Sequence, residues 1–292
     1  MAATVSVSFD LGTLDPEGAE SVCFACGAAA VTFVDSRDSP VLEPAPGEVR
    51  LWPATRLSAL FLEASEPHTL AGAVAAGLGL PPGSVTAEVL PERVWEREWL
   101  KDFHAMRFGE RLWVCPRHER VSEPNAVVVT LDPGLAFGSG THPSTALCLT
   151  YLDAHLARGA RAIDYGCGSG VLALACARLG AAEVHCFDID PQALIATRDN
   201  AHGNGVADVI RVHERAEELP GGVDVLLANI LSGPLCTLAP AFAALVRPGG
   251  EAVLAGLMRH EVRDVTAAYA AWFDVAGGGE SGDWACLSAR RR

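Results

Sequence analysis

The sequence predicts a doubly wound α/β domain in its C-terminal half, preceded by a smaller α+β domain. Three observations predict it. From Ala126 onward, apolar strand-like runs alternate regularly with helical stretches. A glycine-rich run, Asp164-Tyr-Gly166-Cys-Gly168-Ser-Gly170, falls where the first of those strands meets a helix. Residues 1–90 instead show short, mixed strands and helices, and 292 residues suit two domains better than one.

In the first domain, Thr4–Phe9 alternates as a strand does and Pro16–Cys26 is helix-like. Val31–Val34 and Leu57–Leu62 are β-rich, Thr69–Leu78 is an Ala-rich helix, and Val85–Leu90 is a last strand. The order β-α-β-β-α-β is the ferredoxin-like arrangement, expected over residues 1–93. The proline-rich stretch Asp35–Pro53 reads as a loop. Residues 94–125 read as a linker containing a helix whose Trp95, Trp99 and Phe103 share one face. That face serves either as a connector packed between domains or as part of a docking surface.

The second domain is expected over residues 126–292. Its strands are Arg161–Asp164, Glu183–Asp188, Val209–His213, Val223–Ala228 and Glu251–Ala255. Helical stretches follow at Val171–Leu179, Pro191–Asn204, Pro234–Leu245 and His260–Ala271. Phe273–Ala276 and Trp284–Ser288 flank a Gly-rich turn and read as a hairpin adding an antiparallel strand to the sheet edge.

Composition narrows the class. Hydrophobic residues make up 50% and charged residues 20%, which fits a folded core and excludes disorder. No apolar run approaches the roughly 20 residues needed to span a bilayer, and the start has no signal-peptide pattern, so a cytoplasmic protein is expected. Nine scattered cysteines point to a reducing compartment, and Cys23-Phe-Ala-Cys26 reads as small buried apolar residues, with a metal or redox pair as the alternative. The formal net charge of −14 argues against direct nucleic-acid binding. It suits a basic protein partner, or serves solubility alone.

Chemistry is expected at the carboxyl ends of the strands. The glycines at 166, 168 and 170 let the backbone approach a ligand seated at a helix N-terminus. Val171 stands where a dinucleotide fingerprint places its third glycine, which disfavours an NAD dehydrogenase. Asp188 ends the second strand, where a carboxylate can accept from both ribose hydroxyls; Asp190 is expected to cap the helix opening at Pro191. Asn229 ends the fourth strand and offers an amide oxygen to an amine, or simply begins a turn into a helix. Upstream, the glycine-rich run Leu131–Thr145 leads into a helix, with His142 either capping and packing it or acting as a general base.

The run Asp164–Gly170 resembles the D-x-G-x-G-x-G loop of class I methyltransferases, which cradles S-adenosylmethionine. Amino-group enzymes of that class commonly carry Asn-Pro-Pro-aromatic at the fourth strand; this chain keeps the Asn without the prolines or ring. Leu131–Thr145, Asp188-Ile-Asp-Pro-Gln-Ala, Arg198-Asp-Asn-Ala and Asn229-Ile-Leu-Ser-Gly-Pro-Leu together resemble the bacterial ribosomal protein L11 methyltransferase (PrmA) family. So do Trp95-Glu-Arg-Glu-Trp and Phe103-His-Ala-Met-Arg-Phe-Gly-Glu-Arg-Leu-Trp113. The match runs from about Trp95 to the C-terminus.

The resemblance implies a cytoplasmic enzyme that methylates lysine ε-amines and the N-terminal α-amine of a basic large-subunit ribosomal protein, without metal. It implies substrate recognition by the N-terminal domain and cofactor contacts at Thr145, Gly166, Asp188 and Asn229. The alternatives are a methyltransferase acting on RNA or a small-molecule amine, and a cofactor-binding partner without turnover.

Overall fold

The computed structural model describes residues 3–37, 51–64, 66–90, 104–131 and 140–292. The aromatic segment Trp95–Phe103, most of the proline-rich stretch and residues 132–139 of the upstream glycine-rich run lie outside them. The chain divides into two compact units, Met1–Glu96 and Arg97–Arg292.

The first unit contains β1 (Ala3–Asp10), α1 (Pro16–Ala25), β2 (Ala30–Asp35), β3 (Thr55–Ala64), α2 (Pro67–Leu78) and β4 (Thr86–Val89). Its strands form an antiparallel sheet in the order β2-β3-β1-β4. Strand alternation sorts β1 cleanly: Val5, Val7 and Phe9 are buried, while Ser6 and Ser8 bond across the opposite face to Ser58 and Thr86. The buried face is covered by Ala19 and Cys23 of α1 and Ala71, Val74 and Ala75 of α2. Both cysteines of the C-x-x-C pair are free, and burial pushes the Cys23 thiol up to about 11, so it packs as a small apolar group.

The second unit opens with β5 (Met106–Phe108), β6 (Leu112–Cys115) and β7 (Val127–Thr130), which form a three-stranded sheet of their own. The expected linker boundary at 125 therefore moves. Phe108, Leu112 and Val114 are buried in one core with Val129, Leu149 and Leu174. The hairpin tip between β5 and β6 is tied to the next helix, α3 (Pro143–His155), by Asp153. This buried carboxylate accepts from the Glu110 N–H at 2.6 Å, the Arg111 N–H at 3.1 Å and Arg111 Nε at 3.2 Å. Gly109 sits so close that a Cβ there would lie 2.5 Å from the same carboxylate. Asp153→Asn keeps an acceptor for the backbone amides but loses the charge, and is expected to cost about 2 kcal/mol. A melting curve with an unchanged midpoint would count against the tie.

The remaining elements are β8 (Arg161–Tyr165), α4 (Val171–Leu179), β9 (Glu183–Phe187), α5 (Pro191–Gly203), β10 (Ile210–His213) and β11 (Val223–Asn229). They continue with α6 (Ser232–Leu245), β12 (Val246–Met258), α7 (Val262–Tyr269), β13 (Phe273–Ser281) and β14 (Trp284–Arg291). The sheet order is β10-β9-β8-β11-β12-β14-β13. Strands β8 to β12 are parallel, and β14 runs antiparallel to both its neighbours. Thus the antiparallel strand of the hairpin lies inside the sheet, and β13 forms its edge. The apolar side chains Ala285, Cys286, Leu287 and Ala289 are buried in β14, whereas β13 exposes Asp274, Glu280 and glycines, which suits an edge. Strand order reverses between β8 and β11, the switch point where doubly wound sheets bind ligands. Among the described residues no helix is long and apolar enough to cross a membrane.

Candidate active site

Register brings the site together. Tyr165 of β8 lies opposite Phe187 of β9 on one side and Ala228 of β11 on the other. One step further along each strand come Asp188, Gly166 and Asn229, so all three share a row at the carboxyl edge. Two strand spacings, roughly 10 Å, separate the acid from the amide.

The glycine loop needs its glycines. Gly166, Gly168 and Gly170 have φ of 79°, 53° and 80°, in the left-handed region that side chains avoid. A Cβ on Gly166 would lie 2.4 Å from Ile230 Cγ2, and one on Gly170 2.9 Å from Thr197 Oγ1. The loop is fixed by its neighbours: the Gly166 and Cys167 N–H groups donate to the Phe187 carbonyl at 2.8 and 3.1 Å. Asp188 accepts from the Gly168 N–H and the Asp190 N–H, both at 2.9 Å. A carboxylate has about four lone-pair sites, so two remain for ribose hydroxyls. Asp190 caps α5 through the Gln192 N–H, as the sequence predicts.

Behind the loop lies Asp164, buried at 1% exposure. One carboxylate oxygen accepts from the Ala173 N–H at 3.0 Å, satisfying an orphan amide in the first turn of α4. The other oxygen is buried with no hydrogen-bond partner. Burial pushes this carboxyl up to about 7 despite the Ala173 bond, and the Asp188 charge adds to the rise. An orphaned carboxylate oxygen behind a glycine cradle fits a cationic ligand.

At the other end of the row, Asn229 Nδ2 donates to Thr145 Oγ1 at 3.0 Å. This bond joins two residues 84 positions apart, both singled out in the sequence. Thr145 is itself buried, in the first turn of α3.

The family described as Ribosomal protein L11 methyltransferase (PrmA) matches residues 5–292. The chain is 48% identical to the ribosomal protein L11 methyltransferase of Alkalilimnicola ehrlichii, over 94% of each chain. It is 45% identical to that of Vibrio parahaemolyticus, over 91% of each. A solved ribosomal protein L11 methylase from Lactobacillus delbrueckii subsp. bulgaricus superposes with a TM-score of 0.60 at 27% identity, covering 65% of this chain and all of that one.

The chain belongs to the ribosomal protein L11 methyltransferase family. It is an S-adenosylmethionine-dependent protein methyltransferase with a Rossmann-like fold.

Three details of this methyltransferase were not legible beforehand. Residues of α5 hold the glycine loop from behind: Thr197 Oγ1 donates to the Gly168 carbonyl at 3.0 Å and Asn200 Nδ2 to the Ser169 carbonyl at 2.9 Å. They lie three apart, so they face one side of the helix; that spacing in Thr197-Arg-Asp-Asn200 was the available signal. Ile189 follows Asp188 with 90% of its surface exposed, a large apolar side chain left open at the site's mouth. Gly256 interrupts an apolar strand; a Cβ there would lie 2.5 Å from the Ile230 carbonyl oxygen, so a lone strand glycine marked a close backbone approach.

His142 is the N-cap of α3. Its Nδ1 accepts from the Ser144 N–H at 3.3 Å and sits 2.7 Å from Ser144 Oγ, and its ring stands edge-on to Trp284 at 4.5 Å. Burial lowers its pKa, so the ring is neutral at pH 7. With Nδ1 accepting, the neutral ring carries its proton on Nε2, which is then a donor and not a base. Of its two expected roles, this geometry matches capping and packing.

Proposed function

We propose that the enzyme methylates amino groups of ribosomal protein L11, lysine ε-amines and the N-terminal α-amine, with Asn229 as the residue that orients the amine. The observation that carries this reading is the Asn229–Thr145 bond: Thr145 takes the amide nitrogen, so the amide oxygen is the end that faces an incoming neutral amine. Asp188, the glycines at 166, 168 and 170, and the exposed Ile189 hold the nucleoside of the cofactor, and Asp164 faces its cationic end. S-adenosylmethionine, when bound, would supply a methyl group on a sulfonium: the amine nitrogen would bond to the methyl carbon as the carbon–sulfur bond breaks, leaving a neutral thioether.

The chain's own task is to present that lone pair. A lysine with a pKa near 10.4 must give up a proton at a cost of about 4.6 kcal/mol at pH 7; an α-amine near 8 costs only about 1.4 kcal/mol. A cation at the Asp164 end and the apolar Leu231, two residues from Asn229, both lower the amine pKa, so a strong general base is not required.

The placement of charge supports a basic protein substrate over RNA. At the catalytic edge Asp188, Asp190, Glu214, Glu217, Glu261 and Asp283 follow strand ends and outnumber Arg215 and Arg259 there, whereas the opposite edge mixes Arg158, Arg161, Arg211, Arg247 and Arg290 with Glu183, Asp224 and Asp274. An acidic rim attracts a basic partner and repels phosphate. The same reading makes the enzyme cytoplasmic, with its nine cysteines free.

Mass spectrometry of L11 incubated with the enzyme and S-adenosylmethionine tests the reading. Added masses of about 14 Da per methyl on lysine and the N-terminus are expected; methylation of ribosomal RNA alone would sink it. The β-α-β-β-α-β unit, whose strand order supports a ferredoxin-like classification, is the substrate-recognition domain on this account. Its core of Val5, Leu57 and Val74 is distinct from the clusters of the catalytic unit, so a fragment 97–292 should fold. That fragment is expected to bind S-adenosylmethionine normally and to show a KM for L11 about tenfold or more higher. An unchanged KM would remove the first unit from recognition.

A further inference from the structure

In amino-group methyltransferases that carry Asn-Pro-Pro-aromatic, the prolines stiffen the turn bearing the Asn. This chain has Ile230-Leu231-Ser232 in their place. The turn still has to hold Asn229, because a misplacement near 1 Å at a reacting centre costs on the order of 10²-fold in rate.

We propose that Glu261 is a positioning residue for methyl transfer, its carboxylate pinning the Asn229–Ser232 turn in place of the missing prolines. Ser232 Oγ donates to Glu261 Oε1 at 2.5 Å, and the Met258 N–H donates to Glu261 Oε2 at 2.7 Å. One side chain thus ties the first residue of α6 to the last residue of β12. Leu231, the N-cap of α6, makes no side-chain cap, so Ser232 is where the turn is anchored.

The turn is closed on its other sides as well. The Ile230 N–H donates to the Ala255 carbonyl at 3.2 Å. A register break between Leu254 and Leu257 brings Gly256, at φ of 80°, against the Ile230 backbone. The Ile230 side chain closes on Gly166. Asn229 is paired with Ala255 at the end of β11, Ile230 is fixed by backbone contacts, and the Glu261–Ser232 bond fixes the far end, so the turn that carries Asn229 out of the sheet is anchored at both ends. The hydrogen bonds of Glu261 go to Ser232 and Met258 and that of the Asn229 amide goes to Thr145, so Glu261 acts through the turn.

This inference deepens the reading of Asn229 and rests on it. The test compares Glu261→Ala, Glu261→Gln, Ser232→Ala and the Ser232→Ala/Glu261→Ala double variant in the full chain. It measures kcat and KM on L11, S-adenosylmethionine affinity by calorimetry, and hydrogen exchange at the Ile230 amide. Glu261→Ala is expected to lower kcat about tenfold or more with cofactor affinity within about threefold, and Ser232→Ala to lower kcat about fivefold. The double variant should be no worse than Glu261→Ala, because Glu261→Ala already removes the single bond that Ser232→Ala removes.

Glu261→Gln keeps an acceptor for the Met258 N–H and a donor for the Ser232 hydroxyl, and should recover most of the rate. Faster exchange at Ile230 should accompany each loss. If Glu261→Ala does not fold, Ser232→Ala and Glu261→Gln decide the matter. Normal kcat and normal exchange in Ser232→Ala, or a kcat loss matched by an equal loss of cofactor affinity, would overturn the proposal. Asn229→Ala run alongside separates the two ideas: a normal rate there refutes the role of Asn229, while exchange at Ile230 still reports the pin.

Discussion

Asn229→Ala is expected to lower kcat on L11 by about 10²-fold or more, roughly 2.7 kcal/mol, with a much smaller loss of cofactor affinity. The asymmetry follows from where the residue sits. Its backbone ends β11 in the row that contains Gly166 and Asp188, and its side chain is fixed by Thr145. On the proposed reading, removing the amide would empty the amine's position and leave the nucleoside contacts intact. Because the Nδ1 of His142 is occupied as a helix cap, the rate on a lysine substrate should keep rising with pH toward the shifted amine pKa. His142→Asn, which retains a capping side chain, is expected to keep kcat. A rate plateau near pH 6.5 that vanishes in that variant would transfer the proton-accepting role to the imidazole and refute the assignment.

The second large effect is a pH dependence of cofactor binding set by Asp164. Its carboxyl is pushed up to about 7 by burial, and only the ionised form attracts the cationic cofactor. Affinity should therefore be full above about pH 8 and fall by up to tenfold per unit below 7, about 100-fold between pH 8 and pH 5.

The sign for stability runs the other way. The folded-state value lies above the ordinary 3.8, so this group's contribution is fully present below 3.8 and lost as pH rises through about 7. The unliganded fold and the complex thus prefer opposite protonation states at this residue. Asp164→Asn keeps an acceptor for the Ala173 N–H, and should bind S-adenosylmethionine weakly with little pH dependence between 5 and 8. Calorimetry across that range on both proteins decides it; a wild-type affinity that stays flat, or a slope that survives in the variant, would place the cofactor's charge elsewhere.

The sequence by itself determined whatever is written within one element and its flanks. The alternation of apolar strands and helices, the D-x-G-x-G-x-G turn, the capping Asp190 and the strand-end positions of Asp188 and Asn229 are local patterns of periodicity and punctuation. Each was legible because a strand followed by a tight turn dictates its own residue types. The β-α-β-β-α-β order was legible for the same reason, since alternating Val5, Val7 and Phe9 declare a one-sided strand.

Only the tertiary structure decided which distant residues meet. Thr145 and Asn229 were separate candidates until strand order brought them to 3.0 Å, and Glu261 reaches Ser232 across 29 residues. The assumed linker could not be told from core, because Phe108, Leu112 and Val114 gain their burial from α3 and α4 and not from their own neighbours. The inner place of β14 was likewise unreadable, since a hairpin specifies its own pairing but not which of its strands joins the sheet. Asp164 shows the limit most clearly: its position was visible, but the orphaned oxygen and the raised pKa come from burial by segments far along the chain, and burial is a property of the assembled fold.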